Sequence, residues 1–295
     1  MSGQARPETT GSNAGATDET QLTFFGIGPQ RTASTWLYTA LSTHPRIAFP
    51  HQVKETMFFD QHFDRGLEWY LWHFRNRKDD QICGEVGPTY FDDDLARERI
   101  KECFPDAEIF INVRNPIARS HSLFRHHLSK GRVPNSFQGA IDKMPRIVDS
   151  GRYREHCMKW EESFGDRITY LVQEDIQEDP DTVLQFVFQR IGIETVEVPE
   201  QAKERINTAT APRSLALARV LSFTATTLRS LRLHSLVEYG KKLGLKKVYS
   251  GSGEVDPMTP EMYQSLAGIF EPDIQWLEQR LGRDLSIWRN FETGK

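Results

Sequence analysis

Two short segments carry residue types whose spacing suits the binding of an anion. The first, Gly26-Ile-Gly-Pro-Gln-Arg-Thr-Ala-Ser-Thr-Trp36, sets a Gly- and Pro-containing turn and several hydroxyls just ahead of residues at helical spacing. Free N–H groups and the helix dipole favour negative charge at a helix N-terminus, so this is a phosphate-type cradle. It does not spell a Walker A loop, because GxxxxGK[ST] from Gly28 needs Gly where Ala33 stands and Lys where Ser34 stands. That argues against a Walker-type ATPase. Read alone, the segment also fits an ordinary strand-to-helix turn capped by Ser or Thr. The second segment, Arg114-Asn-Pro-Ile-Ala-Arg119-Ser-His-Ser122, runs from an apolar stretch into a helix, with Ser122 about two helical turns along. Arg can fork onto a phosphate and a nearby Ser can add a hydrogen bond, whereas singly Arg114 fits a surface capping role. Two anion-suited strand ends in one parallel sheet fit a ligand whose separated phosphates lie across the carboxyl edge.

The elements that position these segments follow from hydrophobic patterning. LTFFGI from Leu22, Ile82 to Val86, Glu108 to Val113 and Ile168 to Val172 read as buried strands. Trp36, Leu37, Ala40 and Leu41 recur at helical spacing after the first turn, with Ser or Thr where an N-cap is wanted and Pro45 beyond the stop. Further helices are expected at Leu95 to Cys103, Ile117 to Ser129, Tyr153 to Phe164 and Thr182 to Ile191, the last with Val183, Phe186, Val187 and Ile191 on one face. A helical stretch from Pro260 to Leu281 should break or kink at Pro272. Strands alternating with helices predict an α/β fold, a parallel sheet flanked by helices with a helical C-terminal portion. Residues 1–20 lack large apolar residues beyond Met1 and are expected to be a disordered tail, leaving 21–295 as a single domain.

GPQRTASTWL and RNPIARSHS resemble the 5′-phosphosulfate loop and the 3′-phosphate motif of sulfotransferases that use 3′-phosphoadenosine 5′-phosphosulfate (PAPS). KETMFFD at 54–60 resembles the KEPHFFD segment of the heparan-sulfate-type and related bacterial members, and GEVGPTY at 84–90, LVQEDI at 171–176 and EPDIQWLEQRLGRDLSIW at 271–288 extend the likeness. The resemblance implies a P-loop-like parallel sheet flanked by helices, and that Arg31, standing where the loop usually has Lys, neutralises charge on the departing phosphate. It implies that Thr32, Ala33, Ser34 and Thr35 hold the 5′-phosphosulfate, that Arg114 and Ser122 bind the 3′-phosphate, and that Arg213, within NTATAPRS at 207–214, is a late cofactor contact. Trp36 would stack on adenine or else belong to the core. Glu55 matches the general base of the heparan-sulfate-type branch, against the plainer reading of a surface salt bridge. His51 and His62 are rival bases, and Arg119 with His126 and His127 reads as a solvated helix face. Ala33 in place of the usual Gly demands a loop conformation that a Cβ tolerates.

Composition bounds the rest. The chain has 295 residues, 37 Lys plus Arg against 41 Asp plus Glu, and a formal charge of −4. That balance argues against a general nucleic-acid binder. No run approaches the roughly 18 apolar residues of a membrane span. Cys83, Cys103 and Cys157 form no CxxC pair and read as reduced core thiols of a cytoplasmic protein, and no metal-ligand spacing appears. Residues 213–247 carry +7, leaving −11 for the remainder, so charge is segregated. This basic stretch fits an acidic-substrate face, a lid over PAPS, peripheral contact with an anionic membrane, or a solvated face. The resulting expectation is a PAPS-dependent, metal-free sulfotransferase acting on a hydroxyl or amine of a saccharide or small natural product. The alternative is a P-loop-like nucleotide-binding protein without transfer activity.

Overall fold

The computed structural model describes residues 22–200 and 257–291. The expected tail at 1–20, Arg213 and the basic stretch 213–247 lie outside the described residues. Five parallel strands, β1 (Leu22–Gly26), β2 (Ile47–Ala48), β3 (Ile82–Val86), β4 (Glu108–Val113) and β5 (Ile168–Val172), form one sheet in the order β2-β3-β1-β4-β5. The chain leaves β1 for β2 and β3 on one side, then crosses to β4 and β5 on the other. The carboxyl ends of β1 and β4 therefore flank a topological switch point, where open α/β sheets bind ligands. Side chains of the central strands are buried on both faces. Phe25, Ile109 and Ile111 enter one core, and Phe24 and Phe110 the other. That two-sided burial is why these strands read as continuous apolar runs. The two-residue β2 is too short to leave such a signal.

Around the sheet lie α1 (Ser34–Leu41), α2 (Phe58–Gln61), α3 (Leu67–Leu71), α4 (Asp94–Cys103), α5 (Pro116–Ser129), α6 (Phe137–Lys143), α7 (Arg146–Asp149), α8 (Tyr153–Phe164), α9 (Gln173–Glu178), α10 (Pro180–Arg190) and α11 (Pro260–Leu281). Three helices begin one or two residues before their apolar periodicity. Asp93, Asn115 and Asp179 accept first-turn amides as N-caps, and Pro116 and Pro180 occupy the opening turn, where a missing N–H costs nothing. Helix α11 runs unbroken through Pro272. The cost of an interior proline, about 3 kcal/mol, is offset by apolar burial on both sides of it, at Leu266, Phe270, Ile274 and Leu277. In α10 the buried face is Leu184, Val187, Phe188 and Ile191, while Phe186, expected inside, is exposed.

The largest departure concerns α5. Arg119, expected on a solvated face, is 0% exposed, and His127 is also buried, because α5 packs against both α7 and α11. The Arg119 guanidinium donates to Ser150 Oγ at 2.9 Å and to the Ile147 carbonyl at 2.7 Å. It sits against the C-terminal end of α7, where the helix dipole favours a cation. Burial lowers its pKa. Beyond α11 the chain returns to the site, and the Trp288 carbonyl accepts from Asn115 Nδ2 at 3.1 Å, bracing the residue that caps α5.

The turn after β1 presses on β4. Ile27 donates its N–H to the Phe110 carbonyl at 2.9 Å, and a Cβ at Gly28 would lie 2.4 Å from Asn112 N and 2.5 Å from Asn112 O. Only glycine fits that backbone approach. Gly28→Ala is expected to lower stability by about 3 kcal/mol, the upper range for overpacking, because the obstacle is backbone rather than a movable side chain. A denaturation midpoint equal to that of the unsubstituted protein would contradict this.

Candidate functional site

The cradle grows out of this contact. After Gly28 the loop passes through Arg31 at φ 77° and Ala33 at φ 67°, both in the left-handed region. The expectation of a conformation tolerant of a Cβ is therefore corrected. The loop keeps a glycine-type backbone and Ala33 bears the strain, about 1–2 kcal/mol for an L-residue. The expected Ser or Thr cap is also absent, since Ala33 is the N-cap of α1 and no side chain caps the helix. Ser34 and Thr35 are instead the first residues of the helix, and its opening amides are left to solvent or a ligand. Thr32 is fully buried and donates its hydroxyl to the Pro29 carbonyl at 2.7 Å, which staples the loop. Trp36, 4% exposed, belongs to the same core cluster as Phe24, Leu37 and Leu184, so of its two readings burial supports the core.

Arg31, Arg114 and Ser122 come together. Arg31 Nε donates to Ser122 Oγ at 3.0 Å, and an Arg114 terminal nitrogen donates to the Arg31 carbonyl at 3.2 Å. The backbone of Arg114 is itself clamped. Tyr153 Oη accepts from Arg114 N at 3.1 Å and donates to Arg114 O at 2.8 Å. Burial, then the Arg125 charge, lowers the Arg31 pKa. His126 and His127 are pushed down to about 2 and about 3, first by burial and then by surrounding cations that include Lys130, Arg132 and Arg31. These imidazoles stay neutral at ordinary pH, as burial beside like charge requires. Asn112 Nδ2, on the strand that Gly28 touches, is buried without a hydrogen-bond partner. An anion seated at this edge would relieve the positive charge.

The opposite wall is the segment Lys54–Asp60. Lys54 Nζ lies 2.8 Å from Glu55 Oε1 and 3.5 Å from Ser34 Oγ, so it links Glu55 to the first turn of α1. Both side chains are about three-quarters covered, at 23% and 22% exposure, and the salt bridge considered for Glu55 is formed, with Lys54. The next residue, Thr56, is anchored to a carboxylate inside the molecule. Glu85 Oε1 accepts from Thr56 N and Thr56 Oγ1, both at 2.7 Å, and Tyr70 Oη donates to Glu85 Oε2 at 2.8 Å. Asp60 closes the segment, with Oδ1 buried and unpartnered and its pKa raised chiefly by burial. Of the rival bases, His62 has its pKa lowered by burial and then by Arg65, and His51 donates its backbone N–H to the His73 carbonyl at 2.7 Å.

Sequence reasoning did not assign Lys54, Tyr153 or Glu85. Lys54 and Glu85 stood inside quoted motifs, and their chemical types were the available signal. Tyr153 offered none, because its reach to Arg114 crosses 39 positions.

Comparison with known proteins agrees with this architecture. A bacterial sulfotransferase from Alicyclobacillus acidocaldarius superposes with a TM-score of 0.65 at 22% identity, covering 92% of this chain and 99% of its own, which shows the shared fold. Bifunctional heparan sulfate N-deacetylase/N-sulfotransferase 1 of Caenorhabditis elegans is 30% identical over 176 residues, 54% of this chain and 20% of that protein. Heparan sulfate glucosamine 3-O-sulfotransferase 6 of Mus musculus is 32% identical over 142 residues, 45% of this chain and 41% of that protein. The chain thus spans about a fifth and two-fifths of the lengths of these relatives. The sulfotransferase domain model matches residues 23–252, well over half of the sequence, and the chain belongs to the sulfotransferase domain family.

Proposed function

We propose that this protein transfers the sulfuryl group of PAPS to a hydroxyl or amine of a saccharide or small natural product. The observation that carries the reading is the junction of Arg31, Arg114 and Ser122 across the carboxyl ends of β1 and β4. Uncapped first-turn amides of α1, the orphaned amide of Asn112 and the Cβ-free approach at Gly28 fit a multiply anionic nucleotide. When bound, PAPS supplies a sulfuryl group on a phosphosulfate anhydride, already activated for transfer. Ser34, Thr35 and the loop amides hold the 5′ end, and Arg114 with Ser122 holds the 3′-phosphate. Arg31 and Lys54 offset charge growing on the departing phosphate, Arg31 with a planar fork and Lys54 with the compact ammonium that the loop itself lacks. An anion seated on α1 competes with Glu55 for the Lys54 ammonium, which leaves the Glu55 carboxylate to take the acceptor proton. Positioning and fixed charge do most of the work in such transfers.

The 3′-phosphate assignment is tested by calorimetry with adenosine 3′,5′-bisphosphate and with the nucleotide lacking the 3′-phosphate. Arg114→Ala is expected to weaken the first by roughly 10- to 100-fold, the worth of charge-assisted hydrogen bonds, and to leave the second nearly unchanged. Equal affinity of the unsubstituted protein for both nucleotides refutes PAPS as donor.

Transfer is separated from mere binding by radiolabelled sulfate and a panel of acceptors. Glu55→Gln is expected to lower kcat by about 10²- to 10⁴-fold with nucleotide affinity intact. A fully active variant would remove Glu55 from the mechanism. Nucleotide binding without transfer to any acceptor would favour the inactive nucleotide-binding alternative.

A further inference from the structure

The candidate mechanism leaves the buried Glu85 carboxyl, at the carboxyl end of β3, without a role. It is 0% exposed and is met entirely by donors. Thr56 N, Thr56 Oγ1 and Tyr90 Oη converge on Oε1 at 2.7, 2.7 and 3.2 Å, and Tyr70 Oη reaches Oε2 at 2.8 Å. A carboxylate can accept all four bonds. A protonated carboxyl must itself donate one, so a hydroxyl has to turn round, and the Thr56 N–H cannot.

We propose that Glu85 is a positioning residue for the reaction, setting the direction of the Glu55 side chain through the Glu55–Thr56 peptide when its own carboxyl is ionised. The inference rests on the reading of Glu55 as base. The amide held by Glu85 belongs to the peptide plane that starts at the Glu55 carbonyl, so anchoring it restrains the backbone rotation nearest the Glu55 Cβ. The segment needs such an anchor. Gln52 and Met57, on either side of Lys54 and Glu55, lie at φ 63° and 54°, and non-glycine residues stay in that region only where surrounding contacts over-determine them. Phe58 N adds to the brace by donating to Thr56 Oγ1 and Tyr90 Oη, each at 3.2 Å.

The groups hydrogen-bonded to Glu85 are Thr56 and two phenols, so Glu85 is the one carboxyl among them. Tyr70 from α3 and Tyr90 from the turn after β3 have phenols pushed well up by burial. The Cys83 thiol on β3 is raised to about 11, so all three remain neutral near pH 7. Asp60 on α2, its own carboxyl raised by burial, acts on Tyr90 through its charge. Burial raises Glu85 to about 7, against the hydrogen bonds from Thr56, Tyr70 and Tyr90, which lower it. Because the folded-state value lies above the ordinary glutamate value of 4.5, the folded protein binds more protons than the unfolded chain between those values. This group's contribution to stability therefore falls as pH rises from 4.5 to about 7 and is level above. Turnover runs the opposite way, rising as Glu85 ionises.

The test reads both slopes. In protein labelled with ¹⁵N-threonine, the Thr56 amide resonance is expected to move with one inflection near pH 7 and to stay flat in Glu85→Gln. That variant should melt no lower than the unsubstituted protein at pH 8, keep its nucleotide affinity and lose kcat by about tenfold, as misplaced catalytic groups do. Tyr70→Phe removes a bond that lowers the Glu85 pKa, so the midpoint of kcat against pH should move to higher pH, a shift that simple loss of packing does not produce. A Thr56 amide that does not titrate, or a midpoint unmoved in Tyr70→Phe, overturns the inference. Absence of sulfuryl transfer by the unsubstituted protein would overturn the proposed function instead, and the amide titration would still decide the role of Glu85.

Discussion

The cradle of the candidate site depends on how closely the loop after β1 approaches β4. Gly28 lies against the Asn112 backbone, and this contact delivers the Arg31 carbonyl to the Arg114 guanidinium. Two cationic residues are thereby held at adjacent strand ends, with Arg125 close enough to depress the Arg31 pKa further. Like charges are not brought together without cost. The Tyr153 clamp on Arg114 and the Trp288 bond to Asn115 come from α8 and from the chain beyond α11, so the helical layer supports the charge arrangement rather than merely covering the sheet.

Backbone strain is distributed in the same way. Among the described residues, the non-glycine positions at positive φ are Arg31, Ala33, Gln52 and Met57. Two lie in the cradle and two flank Lys54 and Glu55, the residues that face it. Strain of about 1–3 kcal/mol per residue persists where neighbouring contacts dictate the conformation, and here those contacts are Gly28 with β4 on one side and Glu85 with Thr56 on the other. The two strained segments meet through Lys54 and Ser34.

Several side chains take roles that their local surroundings in the chain do not announce. Arg119 and His127 sit in helix α5, whose apolar residues Ile117, Leu123, Phe124 and Leu128 announce one buried stripe but not that the polar positions beside it are covered as well. Packing by α7 on one side and α11 on the other decided it. Thr32 and Trp36 fall inside the cradle motif, yet one hydroxyl closes the loop and one indole fills the core, because a strand-to-helix turn must pack as well as bind.

The parallel α/β class, four of the five strands, the longer helices and both segments that meet at the candidate site were legible in the chain alone. These are legible because two-sided burial makes strands apolar along their length, and because a cradle needs particular residue types at fixed local offsets. Tertiary structure alone decided which of those residues meet. The Arg31 bond to Ser122 spans 91 positions, that of Arg114 to Arg31 spans 83, and that of Thr56 to Glu85 spans 29. Hydrogen bonds across such separations leave no periodicity in a chain. They arise from strand order, which carries residues distant in sequence to one carboxyl edge, and from burial, which gives a carboxyl such as Glu85 a chemistry that its residue type does not disclose.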